Sequence, residues 1–227
     1  MTALPAKEGA RRGRPPRISR EAILATAADM LVDQPGTPFS LSGLARALRV
    51  TPMAIYTYFG SSNDLMQALT ERMLSELVVA VDEAATPAEM IAAWAYAVRA
   101  FFLRHPQLIT MLTWEGGNTS VAWFDRSALV IRALQRAGQE GVDLARSTLW
   151  VWSVIMGAIN AEIRDRAERS GLQPGQLESL DEHLREPVGQ MLELTARPDH
   201  LDSFFAFQIA RLLDALAALP PSGAEQA

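Results

Sequence analysis

The chain has 227 residues, 49% of them hydrophobic and 21% charged, with a formal net charge of −5. That length and apolar content suit one large domain or two small ones, and they exclude a disordered or fibrous chain. The absence of cysteine excludes disulfides, zinc fingers, iron–sulfur clusters and thiol catalysis, and it fits a reducing cytosol.

The charge is unevenly spread. Residues 1–60 hold eight cations and four anions, a net of +4, whereas the other 167 residues hold 13 cations and 22 anions, a net of −9. A basic head on an acidic body implies that only the head meets an anionic partner. No apolar run within residues 1–20 reads as a signal peptide. The longest uncharged apolar stretch is the 15 residues between Arg146 and Glu162. It falls short of the roughly 18–20 needed to cross a bilayer and reads as a buried core helix. A cytoplasmic protein with no membrane partner is expected.

In chain order, residues 1–17 are rich in Arg, Gly, Pro and Ala and read as a flexible basic arm. Ser19 is the expected N-cap of a first helix that runs to about Gln34, with Ile23, Ala27 and Leu31 on one face. Pro35-Gly36-Thr37-Pro38 stops it. Ser40 caps a short second helix with Leu41, Leu44, Ala45 and Leu48 on its apolar face. Arg49-Val50 makes a tight turn. Thr51 then caps a third helix, with Pro52 at its first position, that runs to about Phe59. Ser61-Ser62-Asn63-Asp64 has the form of a capping box and opens a fourth helix expected to pass residue 80. Beyond it, helices are expected at 87–105, 107–114, 120–137, 143 to about 169, 176–196 (interrupted at Pro187) and 199–219. No strand and no repeat is evident. The predicted fold is all-α, divided into an arm (1–17), a helix-turn-helix domain (18–64), a helical body (65–219) and a tail (220–227).

Two short helices joined by a tight turn beside a basic terminus make a helix-turn-helix. The first helix braces the second, whose outer face lies against the major groove. Leu44, Leu48, Val50, Ile55 and Phe59 supply the bracing core, with Val50 as the apolar peg in the turn. The outer face then carries Thr51, Met53, Tyr56 and Thr57, with Tyr58 near its edge. That helix has no Arg, Lys, Asn or Gln, the usual bidentate partners of guanine and adenine. Base reading is therefore expected to use hydroxyls, a thymine-methyl contact by Met53 and DNA shape.

Over residues 19–70 the chain resembles the DNA-binding domain of the TetR family of bacterial transcriptional regulators. Leu44-Ala45, Val50-Thr51, Ile55-Tyr56-Thr57-Tyr58-Phe59 and Asp64-Leu65 carry the resemblance. It implies that Ser40 and Tyr56 meet phosphates, and that Thr51, Pro52, Met53 and Thr57 form the base-reading surface. Tyr58 stands where the family often has histidine. Two further departures matter. Arg49 stands where a turn glycine is common, and it gains a cation for phosphate there. Ser62 stands where a lysine often anchors phosphate, which leaves the free N–H groups of that helix start for the purpose.

The arm contributes a second DNA feature. Arg12-Gly13-Arg14-Pro15 resembles the core of an AT-hook, whose arginines enter a narrow A·T-rich minor groove, and Arg17 adds a phosphate contact.

For the body, the resemblance implies binding of a small-molecule effector and a homodimer formed through residues 143–169 and 199–219. A dimer is also what specific binding requires, because one short helix reads too few bases. Trp94, Phe101, Met111, Trp114, Trp123, Phe124, Trp152, Met156 and Asn160 are the candidate effector contacts. Aromatic and Met side chains suit an adaptable apolar cavity, so an apolar or aromatic effector is expected, with Asn160 as its polar handle. No cofactor is implied. His105, His183 and His200 form no metal-binding spacing, and no nucleotide-binding or nucleophile motif is present. The leading expectation is an effector-released repressor on a pseudo-palindromic double-stranded operator. The alternative is a small-molecule enzyme or carrier with an accessory DNA-binding head.

Overall fold

A serine sets the start of the first helix. In the computed structural model, which describes residues 18–33, 39–111, 121–168 and 176–222, Ser19 Oγ accepts a hydrogen bond from the Ala22 N–H at 3.1 Å. Helix α1 (Arg20–Asp33) follows and buries Ile23, Leu24, Ala27 and Leu31. The next three helices each begin on a hydroxyl cap: Ser40 for α2 (Leu41–Ala47), Thr51 for α3 (Pro52–Tyr56) and Ser61 for α4 (Ser62–Leu74). A cap of this kind is worth about 1 kcal/mol. That matters for α2 and α3, which are too short to hold in isolation. Gly43 lets the α2 cap close, because a Cβ there would lie 2.8 Å from Ser40 Oγ.

The rest of the described chain is also helical: α5 (Pro87–Arg104), α6 (Gln107–Met111), α7 (Val121–Arg136), α8 (Gly141–Glu168), α9 (Glu182–Thr195) and α10 (His200–Ala217). The fold is all-α, as the hydrophobic periodicity predicts. α1 packs on α2 and α4, and α2 packs on α3. Leu44, Ile55, Phe59, Leu65 and Leu69 are buried within this N-terminal group. α5 packs most extensively on α7 and also touches α8 and α10. α4 touches α1 on one side and α6 and α7 on the other, so it joins the two halves.

Three elements differ from the expected boundaries. α3 ends at Tyr56 rather than near Phe59, because the Thr57 hydroxyl turns back to donate to the Ala54 carbonyl at 2.7 Å. α4 ends at Leu74 and does not pass residue 80. The following Leu77-Val78-Val79-Ala80-Val81 is rich in β-branched residues, and its Leu77 leaves the helix to enter the core. α9 begins at Glu182 rather than at Gln176, and it runs through Pro187 instead of breaking there. Nothing in α9 is buried, so the His183 carbonyl that Pro187 cannot serve is open to water.

α8 spans 28 residues and is long and apolar enough to cross a membrane by length and composition alone. Its Val151, Trp152, Ile155 and Ile159 instead lie in the protein core. A buried charge pins it. Arg99 of α5 donates through Nε and Nη2 to Glu162 of α8 at 2.7 and 2.8 Å, and through Nη2 to Asp202 of α10 at 2.5 Å. Its guanidinium lies 4.8 Å from the centre of the Phe205 ring, and Arg166 gives Glu162 a second cation at 2.8 Å. These bonds raise the Arg99 pKa and hold the Asp202 carboxyl below its ordinary range. At the far end, residues 220–222 dock on the α7–α8 turn. Gln139 Nε2 donates to the Pro220 carbonyl at 2.9 Å, and the Ser222 N–H donates to the Gly138 carbonyl at 3.1 Å.

Candidate nucleic-acid interface and effector core

The turn between α2 and α3 is held from both sides. The Val50 N–H donates to the Ala45 carbonyl at 2.9 Å, and the Val50 side chain packs, half-buried, against the core. Arg49 carries the reversal of the chain with φ +56°, in the left-handed region where glycine is favoured. Its side chain is exposed.

Thr51, Pro52, Met53, Tyr56 and Thr57 are all exposed together, and Met53 is 72% exposed. Their hydroxyls already have internal roles. Thr51 Oγ1 accepts from the Ala54 N–H and Ser40 Oγ from the Gly43 N–H, so each keeps its O–H to give away. Thr57 gives its proton to Ala54 and keeps acceptor capacity. Tyr56 Oη lies 2.9 Å from Ser62 Oγ, which ties the end of α3 to the first residue of α4.

Tyr58 is placed differently from its neighbours. It is half-buried, and its hydroxyl donates to the Ile18 carbonyl at the entry to α1. The structure therefore uses Tyr58 inside the head rather than on the exposed face. Arg12, Arg14 and Arg17 lie outside the described residues. Arg20 adds a cation that motif reasoning did not single out. Its guanidinium sits 4.9 Å from the centre of the Phe59 ring. The only cue in the sequence is a basic residue just after the Ser19 cap.

In the body, four of the candidate residues come together. Trp94, Phe101, Trp123 and Trp152 are all buried. The Trp94 and Trp123 rings lie 5.8 Å apart and edge-on, as do those of Trp123 and Trp152 at 6.0 Å. Phe102, which the sequence reading left out, links Phe101 to Trp123 at 5.3 and 6.2 Å. Its signal was its adjacency to Phe101 at the end of an amphipathic helix. Phe124 is 5.6 Å from Trp152 but largely exposed. Met156 is half-buried beside the core, and Asn160 is exposed on α8. Trp114 and the Met111 side chain lie outside the described residues. Trp94 Nε1 donates to the Arg126 carbonyl at 2.9 Å, a fixed polar tie between the cluster and α7.

No protein-family model matches the chain, and no curated protein matches it. Solved structures do. A TetR transcriptional regulator from Streptomyces coelicolor superposes with a TM-score of 0.67 at 22% identity, over 89% of this chain and 99% of that one. BioQ, known from Mycobacterium smegmatis and here with its natural double-stranded DNA operator, gives 0.63 at 21% identity, over 89% and 99%. The TetR family protein ActR from Streptomyces coelicolor, in complex with (S)-DNPA, gives 0.67 at 18% identity, over 89% and 98%. The chain therefore has the fold shared by these proteins, two of which are TetR-family regulators.

Proposed function

We propose that the chain is a cytoplasmic, operator-binding transcriptional repressor, not an enzyme, that acts as a homodimer and is released from DNA by a small apolar or aromatic effector. One observation carries the reading. Capped α2 and α3 display Thr51, Pro52, Met53, Tyr56 and Thr57 on an exposed face at the basic end of an otherwise acidic chain. A fold shared with a regulator bound to its operator, and with another bound to a small molecule, supports both halves of the proposal.

The division of labour follows from the packing. α1–α3 form the reading head, α4 is the lever, and α5–α10 form the body. Arg49, Ser40, Tyr56 and Ser62 face phosphates, and the arm arginines Arg12, Arg14 and Arg17 extend the contact. α8 and α10 pack side by side and leave Leu149, Trp150, Phe204 and Phe207 exposed, an apolar surface suited to a second copy. Effector binding at the tryptophan cluster must favour one spacing of the two heads, because an effector with equal affinity for both states shifts nothing. Selection from random duplexes, followed by footprinting, tests the reading. Protection of a pseudo-palindrome with half-sites about 34–36 Å apart is expected. A chain that protects no duplex at modest ionic strength is not a repressor.

A further inference from the structure

The joint between the tryptophan cluster and α4 contains a cation with too few partners. Arg126 of α7 faces three ways. Its carbonyl takes the Trp94 indole N–H at 2.9 Å. Its Nη1 reaches the Leu77 carbonyl, where the chain leaves α4, at 3.4 Å. Among the described residues, its buried Nε–H has no partner, and neither has the hydroxyl of the fully buried Ser127 that follows it in sequence. Among the described residues no carboxylate lies within 4.0 Å of Arg126. A guanidinium presents five donors in a planar fork, and buried polar groups without partners are rare enough to call for an explanation.

We propose that the effector is an aromatic monocarboxylate and that Arg126 is both its anchor and the release of the lever. This rests on the reading of the chain as an effector-responsive DNA-binding protein. The indoles of Trp94 and Trp123 supply apolar ring contacts for the aromatic frame. A carboxylate matches the Arg126 fork in a bidentate, charge-assisted pair, which is the strong form of this hydrogen bond. A carboxylate that takes Nε–H and an Nη2–H draws the guanidinium toward the ligand and away from the Leu77 carbonyl, whose bond is already at the outer limit of length. Anion binding therefore exchanges the Leu77 contact for the ligand and frees the exit of α4. The start of α4 is tied to the recognition helix through Ser62 and Tyr56, so the released end and the reading face belong to one element. This gives the effector the differential contact with two states that a switch requires.

The probes are 1-naphthoate and its neutral counterpart 1-naphthamide, titrated against the full chain by tryptophan fluorescence and by anisotropy of a labelled operator duplex. The acid is expected to bind about tenfold or more tightly than the amide and to weaken duplex binding. Arg126→Met should bind both probes alike and, with no bond to Leu77, should bind the duplex weakly whether or not the acid is present. Arg126→Lys keeps the charge without the fork and should retain part of the preference. Equal binding of acid and amide by the unmodified chain, no binding of either at millimolar concentration, or an undiminished preference in Arg126→Met each overturns the proposal. The comparison of the two probes on the unmodified chain stands even if a variant does not fold. Loss of the regulator reading itself shows separately, as a chain that binds no duplex when no probe is present.

Discussion

The Tyr56 hydroxyl and Ser62 Oγ stand 2.9 Å apart, so the last residue of α3 and the first of α4 share a proton. The bond is exposed and contributes little to stability, about 0.5–1 kcal/mol. Its value is geometric, since it fixes α3 to α4. Tyr56→Phe is expected to leave the melting temperature nearly unchanged while weakening operator binding several-fold. Ser62→Lys gives up the same bond but adds a cation at the start of α4, so it should bind the operator more tightly than Tyr56→Phe at low salt. It should also steepen the dependence of log affinity on log salt by about one unit. Melting curves and anisotropy titrations at three salt concentrations read both. An unchanged slope in Ser62→Lys would place that residue away from phosphate.

Arg49 separates stability from binding in a different way. Its φ of +56° costs a side-chain-bearing residue roughly 1 kcal/mol that glycine does not incur. Arg49→Gly is expected to raise or hold the melting temperature, since the strain relieved offsets the extra freedom of the unfolded chain. The same change deletes an exposed cation of the head, so the salt slope should fall by about one unit. A variant that loses stability instead would show that the arginine side chain contributes to the turn.

The buried cation behaves otherwise. Arg99→Met keeps the length of the side chain but leaves Glu162 buried with only Arg166 as a partner. Removing one member of a buried pair costs about 3–5 kcal/mol. That is enough to loosen α5, α8 and α10 together, and chemical denaturation should report the loss directly. A change under about 1 kcal/mol would mean that water reaches Glu162 in the variant.

The exposed apolar stripe on α10 gives a prediction about assembly. Phe204 and Phe207 stack at 6.3 Å with an interplanar angle of 12°, and each is 58% exposed. Neither serves the core of its own chain, so Phe207→Asp should fold normally. It is expected to sediment as a monomer and to lose most operator affinity, because a monomer engages one half-site. A dimer that survives this change would place the interface elsewhere.

How far the sequence could be read depended on the range of the interactions. Ser40, Thr51 and Ser61 were legible as caps because a cap acts over three residues, and Leu44, Ile55 and Phe59 were legible as core because helical spacing is local. Arg99 was not legible. Its partners Glu162 and Asp202 lie 63 and 103 residues away. In the sequence Glu162 is simply the charge that ends an apolar run. Asn160, two residues earlier, stood out as polar in an apolar context, yet it is exposed while Glu162 is buried. A one-dimensional pattern shows that a polar residue is out of place but not which side of the helix it takes. The docking of Pro220 and Ser222 on the α7–α8 turn is likewise a contact over about eighty residues and left no local trace.

His105 provides the pH dependence. It closes α5, its ring lies 5.0 Å from that of Phe101, and its buried Nδ1 has no partner among the described residues. Burial pushes its imidazole below the ordinary value, Glu76 pulls it back up in part, and the Arg104 charge adds to the lowering. The folded state therefore favours the neutral ring. An unfolded chain takes up a proton at this residue as pH falls below about 6.5, while the folded chain resists it. The contribution to stability is complete above that value and is lost as pH falls from there through the lower, folded pKa. His105→Phe keeps a flat ring against Phe101 and removes both the titration and the unpartnered nitrogen. At pH 7.5 it should be as stable as the unmodified chain or more so. Between pH 7 and pH 5 its midpoint of urea denaturation should fall less than that of the unmodified chain. Parallel curves for the two proteins across that interval would show that the proton is taken up elsewhere.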